Sequence, residues 1–192
     1  SSGGLIGRHH AAVANPYSTG SVAAQFENGS PTAIGGFIGT RAESGSVSFG
    51  LWDRGSSGRE NAVGTGYNKD IIPLTAANAY LMSAYTCDCE GGFNFSSDGG
   101  PWFMVDGQTR PFLQMEHSTT IRNAHQLQLI AMRPGENYVL ANNINFAGQF
   151  NASGMWAGGF NESMVWGSRG FAPIGSIGQL GICASDSFFA SP

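Results

Sequence analysis

Two short stretches, GGLIG at residues 3–7 and GGFIG at residues 35–39, carry the strongest fold signal in the chain. They are nearly identical and begin 32 positions apart. Further along, residues 13–17 align with residues 47–51 at a separation of 34. Self-similarity at a nearly fixed period is typical of proteins built from stacked structural units. The first part of the chain is therefore predicted to hold two such units.

Each unit contains short apolar runs of alternating character that are separated by Gly, Ser, Asn and Thr. Such runs between turn residues predict β-strands. Strands of successive units can pair and bury a shared core, so we expect an all-β solenoid. A compact β-sandwich with two similar hairpins is the alternative. The predicted core residues are Leu5, Ile6, Val13, Val22, Phe37, Ile38 and Val47.

The distribution of turn-forming residues divides the whole chain into three parts. Residues 1–53 form the repeat region, residues 54–120 a connector, and residues 121–192 a further block with a Gly/Asn-rich loop at residues 147–169. Within the connector, residues 54–74 are predicted to form a loop. Two runs of residues 101–115 flank Asp106-Gly107, a dipeptide that favours a hairpin turn.

Two segments have the spacing of short helices. Residues 75–85 begin with Thr75, which is a suitable N-cap. Residues 121–132 end shortly before Pro134-Gly135, which would stop a helix. Residues 138–146 alternate between apolar and polar side chains and predict a strand. A last short strand is predicted at residues 171–175.

Composition excludes several functional classes. The chain has 192 residues, of which 29 are Gly and only 11% are charged, with a net charge of −4. An acidic chain without a basic stripe is not suited to nucleic acid. No apolar run is long enough to span a membrane as a helix. The opening SSGGLIGRHH has no secretion signal, so a signal would lie outside these residues.

The three cysteines, Cys87, Cys89 and Cys183, cannot all pair within one chain. Two possibilities stay open. Cys183 forms a disulfide with Cys87 or Cys89, or all three cysteines are free thiols. The CDCE segment lacks a second ligand pair for a zinc site.

Seven segments resemble the GLUG-repeat region of filamentous-haemagglutinin-type adhesins. GGLIG, NPYSTGSV and GGFIG match its repeat, and GLWDRGSSG at residues 50–58 is similar to its closing stretch. WFMVDGQTRPFLQM at residues 102–115, residues 123–148 and GFAPIG at residues 170–175 follow in the family's order. Departures are Pro16 for Ser, and Asn143 and Asn145 for Asp.

The resemblance implies a right-handed parallel β-helix with one or two short flanking α-helices. It further implies a non-enzymatic, extracellular stalk on the bacterial cell surface that presents binding loops and is exported through an outer-membrane transporter. The implied partner is a surface protein or glycan of a host or neighbouring cell. Exposed strand edges at the ends of the stack would favour self-association. An accessory region of an extracellular peptidase and a carbohydrate-binding module are the alternatives.

No catalytic motif is recognised in the sequence. It contains no G-x-S-x-G motif and no phosphate-binding loop, and its carboxylates are scattered over predicted loops. His9 and His10 are adjacent, so on a strand they would point to opposite faces, and we predict a solvated loop there. No catalytic residue, cofactor or metal is therefore predicted.

Binding and modification sites are predicted from two residue types. Aromatic side chains in loops can stack on sugars or anchor a protein partner. The predicted contact residues are Trp156, Phe160 and Trp166 in the Gly/Asn-rich loop. Four N-x-[ST] sequons make Asn28, Asn94, Asn151 and Asn161 candidate glycosylation sites.

Overall fold

The computed structural model describes residues 1–23, 33–86, 91–97, 99–146, 166 and 169–175. These residues form fourteen short strands and two short helices. The strands are β1 (Ser2–Gly3), β2 (Ile6–His9), β3 (Ala12–Ala14), β4 (Tyr17–Ser18), β5 (Ile34–Gly35), β6 (Ile38–Arg41), β7 (Ser46–Ser48), β8 (Gly50–Asp53), β9 (Val63–Thr65), β10 (Ile71–Leu74), β11 (Trp102–Phe103), β12 (Phe112–Leu113), β13 (Thr120–Ile121) and β14 (Val139–Leu140). The helices are α1 (Arg54–Ser57) and α2 (Ala124–Leu129), and 3₁₀ turns cover Met82–Ala84, Gln114–Glu116 and Ile130–Met132.

Strand pairing in the described residues gives six small, separate sheets of two or three strands. Five sheets are parallel, and the sixth pairs β11 with β12 in antiparallel fashion. The prediction of an all-β, right-handed parallel β-helix is wrong, because none of these sheets continues along the described chain. Turns end each strand after two to four residues, so the ladders stay short.

The repeat region and the start of the connector form three layers. The first layer is residues 2–18 with β1 to β4, the second is residues 34–53 with β5 to β8, and the third is residues 63–74 with β9 and β10. Three strands, β2, β6 and β9, form one parallel sheet across all three layers. A second parallel sheet contains β4, β8 and β10.

The register between the first two layers is the one predicted from the repeats. Ile6 pairs with Ile38, at the separation of the two glycine-rich stretches. Val13 pairs with Val47, and Tyr17 pairs with Leu51. This part of the sequence alignment is confirmed.

The third layer was not predicted. Residues 54–74 were expected to form a loop, but β9 pairs with β6 and β10 pairs with β8. The loop prediction is wrong for these two strands. Each spans only three or four residues, and β9 contains Gly64 while β10 contains Pro73, so the sequence of each strand gives a weak strand signal.

Most predicted core residues are buried. They are Val22, Phe37, Ile38 and Val47. Ile6 and Val13 are partly buried and pack against this core. Leu5 is 46% exposed, so its prediction as a core residue is wrong. It lies in the outermost layer, where the described residues cover it from one side only.

The connector contains one predicted element and lacks another. The antiparallel pair β11–β12 confirms the hairpin around Asp106-Gly107. Residues 75–85 form turns and one 3₁₀ turn instead of the predicted helix. The Asn78 side chain accepts the backbone N–H of Thr75 at 2.6 Å and so caps a first turn, but this turn does not continue as a helix.

The last described segment contains α2 and the parallel pair β13–β14. Asn123 is the N-cap of α2, since its side-chain oxygen accepts the N–H of Gln126 at 2.9 Å. The predicted helix over residues 121–132 therefore starts later, and β13 occupies its first position. The predicted strand at residues 138–146 is reduced to β14, and residues 171–175 form turns. No helix in the described ranges has the length and apolar character to cross a membrane.

Candidate functional site

A buried ion pair joins the second layer to the connector. Asp53 begins α1 as its N-cap, and its Oδ1 accepts the N–H of Ser56 at 3.0 Å. Its Oδ2 accepts a hydrogen bond from Nε of Arg110 at 2.7 Å. Both side chains are almost completely buried. A charged pair at this depth is retained because each group satisfies the other.

Tyr80 completes the surroundings of this guanidinium. Arg110 Nη1 donates to the Tyr80 hydroxyl at 2.9 Å, and Arg169 lies 4.6 Å from the centre of the Tyr80 ring. Burial disfavours the charged form of Arg110, but the charge and hydrogen bond of Asp53, together with the nearby Tyr80 and Tyr17, outweigh burial and raise the pKa of the guanidinium. Arg110 therefore stays charged, and its role is to hold the connector against the layers.

Aromatic rings fill the space next to this ion pair. Phe93 and Trp102 stack with centroids 4.3 Å apart, and Tyr17 packs edge-on against both. Tyr85 donates its hydroxyl to the Ala79 carbonyl at 2.7 Å, and burial raises the pKa of Tyr85. These rings are used for internal packing of the connector against β4.

An apolar cavity lies between α2 and the strand pair β13–β14. Its volume is about 480 Å³, within the usual range of ligand-binding cavities. The residues around it are mostly apolar: Ile121, Leu127, Ile130, Pro134, Glu136, Tyr138, Leu140, Ile174 and Gly175. The two residues of β14, Val139 and Leu140, are about two-thirds exposed. The cavity therefore opens beside an exposed apolar strand.

Polar groups stand at one side of this cavity. Tyr138 donates its hydroxyl hydrogen to the Arg133 carbonyl at 2.7 Å, so its oxygen accepts from Nε2 of His117 at 3.0 Å. The Glu136 carboxylate lies 3.6 Å from the same nitrogen. Burial lowers the pKa of His117, although the charge of Glu136 opposes this. The arrangement can accept an apolar group and offers a carboxylate at its rim.

Acidification is expected to destabilise the protein in part through His117. Its folded pKa lies below the ordinary value of 6.5, so the unfolded chain binds more protons near that pH. Stability is then fully present above about pH 6.5 and falls as the pH drops towards the folded pKa. In a His117→Gln variant, melting temperatures at neutral and mildly acidic pH should differ less than in the wild type. The exposed His10 provides the control, His10→Gln, and an unaltered pH dependence in His117→Gln would contradict this assignment.

The predicted aromatic contact residues are only partly described. Trp156 and Phe160 lie outside the described residues. Trp166 is fully buried, and its Nε1 donates to Gln128 Oε1 at 3.0 Å. The prediction that Trp166 is a surface contact is wrong, because its ring packs against Phe112 and His125.

The other predicted sites also lie partly inside and partly outside the described residues. Asn94 is exposed, and its Oδ1 accepts the N–H of Ser96 at 2.9 Å. The remaining sequons and cysteines lie outside the described residues: Asn28, Asn151, Asn161, Cys87, Cys89 and Cys183. His9 is buried on β2 and bonds to the Ser46 carbonyl at 3.0 Å, so the solvated-loop prediction is wrong for it. Within the described ranges, no group of three or more His, Cys, Asp or Glu could hold a metal ion.

Comparisons of this chain with protein-family models, with curated proteins and with solved structures give no match. The site must therefore be judged by its geometry. Sequence reasoning missed the Asp53–Arg110 pair because its two residues are 57 positions apart. It missed the cavity because the packing of α2 against β13 and β14 is not given by the local pattern. The local signals were the helical spacing of residues 121–132 and the Tyr138–Phe146 alternation, which indicated a helix and a strand but no cavity.

Proposed function

We propose that the chain is a non-enzymatic structural and adhesive segment of a large secreted bacterial surface protein. The observation that carries this proposal is the in-register stacking of three strand layers, locked to the connector by the buried Asp53–Arg110 pair. Backbone hydrogen bonds between layers make a body that resists bending and local opening. Such a body suits a scaffold that holds contact surfaces in fixed positions.

The use of the buried ionisable groups supports a scaffold role. Asp53 caps a helix and pairs with Arg110, and Glu116 accepts from His125 at 2.7 Å. Each of these groups ties two segments of the chain together. Their geometry is explained by stability and requires no reaction.

The contact surface that we propose is the apolar cavity together with β14. Leu140 both lines the cavity and is 65% exposed, and Val139, which points to the opposite face of the same short strand, is 64% exposed. A large exposed apolar side chain beside a cavity is a feature of protein-binding surfaces. The proposed partner is accordingly a surface protein of a host or neighbouring cell, and export would use an outer-membrane transporter.

The proposal is tested with fluorescent beads that carry the 192-residue chain at high density, since weak contacts add through avidity. Retention is measured under flow on fixed epithelial monolayers, on bacterial lawns and on a glycan array. We expect retention on a cell surface and about a tenfold or greater loss with Leu140→Glu. The matched control is Leu81→Glu, an exposed leucine far from the cavity in sequence, which should leave retention unchanged.

Three outcomes would contradict the proposal. Beads that adhere no better than uncoated beads would remove the adhesive role. Binding confined to the glycan array would favour a carbohydrate-binding module. Cleavage of a peptide or polysaccharide by the pure chain would remove the non-enzymatic assignment.

A further inference from the structure

A column of glycines runs through the three layers. In the sheet of β2, β6 and β9, each strand has an aliphatic residue followed by Gly: Ile6-Gly7, Ile38-Gly39 and Val63-Gly64. The register pairs Ile6 with Ile38 and Ile38 with Val63. The three glycines therefore lie one above another.

Two of these glycines are required by the layer before them. A Cβ on Gly39 would lie 2.6 Å from the Gly7 carbonyl oxygen, and a Cβ on Gly64 would lie 2.7 Å from the Gly39 carbonyl oxygen. Real Cβ atoms do not approach backbone this closely. Glycine at each position is thus explained by the strand of the preceding layer.

Gly7 occupies the equivalent position in β2, but no described backbone atom crowds it as Gly39 and Gly64 are crowded. The nearest described atom to a Cβ there is the Ser1 carbonyl oxygen, at 3.5 Å, which is ordinary contact. Its φ is not positive, so the backbone conformation does not demand glycine. In the described residues, no strand pairs with the outer edge of β2. Among the described residues, none fills the space on that side of β2.

Leu5 shows the same asymmetry. It donates its N–H to the Phe37 carbonyl at 3.0 Å, and Phe37 donates to the Ala62 carbonyl at 2.9 Å, so the three share one column. Phe37 and Ala62 are at most 1% exposed, whereas Leu5 is 46% exposed. Among the residues that the structure describes, the outer face of the first layer therefore has an unpaired strand edge and a large exposed apolar side chain.

The opposite end of the stack has a matching edge. β9 is the last strand of its sheet, and Gly64 and Thr65 are exposed. Tyr67 and Ile72 in the same layer are also exposed, at 61% and 42%. This edge carries the sequence pattern that pairs with an aliphatic-Gly strand inside the chain.

We infer that β9 of one copy of the chain pairs in parallel with β2 of a second copy. The internal register then continues across the contact: Val63 lies opposite Ile6, Gly64 opposite Gly7 and Thr65 opposite Arg8. No like charges are brought together at these positions. The contact joins two different surfaces, so it adds copies end to end and forms open chains rather than closed dimers. The inference deepens the proposed scaffold function by naming its partner.

The experiment is sedimentation velocity of the full 192-residue chain over a wide concentration range. We expect the average mass to rise with concentration beyond that of a dimer. Gly7→Ala should weaken association about tenfold or more, because its methyl group would meet the Gly64 carbonyl of the next copy. Its circular dichroism and melting temperature should stay at wild-type values, since the methyl group fits the single chain.

Two glycine variants serve as controls. Gly135→Ala makes the same chemical change in open space and should leave association intact. Gly39→Ala should lower the melting temperature, because that position is already crowded within the chain. A wild-type chain that stays monomeric, or a Gly7→Ala chain that associates like the wild type, would overturn the inference.

The register is tested by disulfide cross-linking. Arg8→Cys and Thr65→Cys are made separately with Cys87, Cys89 and Cys183 replaced by serine. Neighbouring strands lie about 4.8 Å apart, close enough for a disulfide between opposed residues. Oxidation of the mixture should give a cross-linked pair, and neither variant alone should. A cross-link in Arg8→Cys alone would show a symmetric contact and overturn the end-to-end arrangement.

These outcomes separate the inference from the proposed function. A strictly monomeric chain whose beads still adhere to cells would overturn the contact between copies and leave the adhesive role. A chain that associates end to end but adheres to no surface would support the contact between copies and overturn the adhesive role.

Discussion

Replacing Arg110 with leucine is expected to lower the free energy of unfolding by about 3–5 kcal/mol. The substitution leaves the Asp53 carboxylate buried, with its Oδ1 still bound to the Ser56 N–H but without its cationic partner. It also removes the donor to the Tyr80 hydroxyl and so loosens the contact between connector and layers. Chemical denaturation followed by circular dichroism measures the loss.

Two further variants decide whether the pair itself is responsible. Arg122→Leu makes the same change at an exposed arginine and should alter stability by about 0.5 kcal/mol or less. Asp53→Asn combined with Arg110→Leu removes both charges while keeping an N-cap side chain. The double variant should be more stable than the sum of the single losses implies. Strictly additive losses would contradict a coupled ion pair.

The register of the first two layers could be predicted because its signal is local and repeated. GGLIG and GGFIG place an aliphatic residue and glycines at the same positions in β2 and β6, and the pairing of Ile6 with Ile38 follows from that pattern. The turn at Asp106-Gly107 could be predicted for a similar reason, since the dipeptide is a local turn signal, although the connection between β11 and β12 spans residues 104–111.

The sheet architecture could not be predicted in the same way. The length of each strand depends on where its partner layer ends, and the partner is remote in sequence. The third layer contributes only Val63–Thr65 and Ile71–Leu74, which lie among loop-like residues and become strands by pairing with β6 and β8. An extended repeat was therefore expected where the structure has short, separate sheets.

The candidate site was missed because its residues converge from distant segments. Asp53 and Arg110 are 57 positions apart, and neither has a neighbour in sequence that predicts the other. Trp166 was predicted to face solvent because its segment is rich in Gly and Asn, yet Gln128 supplies a buried acceptor for its indole nitrogen. Burial of this kind depends on packing against α2, which local composition does not encode.

Equivalent residues of the two repeats differ in burial, which local sequence does not predict. This difference leads to a second large expected change in the free energy of unfolding. Phe37→Ala is expected to lower the free energy of unfolding by about 3–5 kcal/mol, because the side chain is fully buried between the first and third layers. Leu5→Ala, at the matching position of the first repeat, should cost about 1 kcal/mol or less, because nearly half of Leu5 is already in water. The two motifs differ only in having Leu5 or Phe37 at this position, both large and apolar, so the motifs do not predict the difference in burial, which arises from place in the stack.

Chemical denaturation of the two variants at low protein concentration measures this difference without a contribution from contacts between copies. The exposed Leu113 on β12 provides a further control, and Leu113→Ala should resemble Leu5→Ala. Equal losses for Phe37→Ala and Leu5→Ala in dilute solution would mean that Leu5 is covered as completely as Phe37. That result would contradict the assignment of the first layer as the outer face of the stack, on which the end-to-end contact depends.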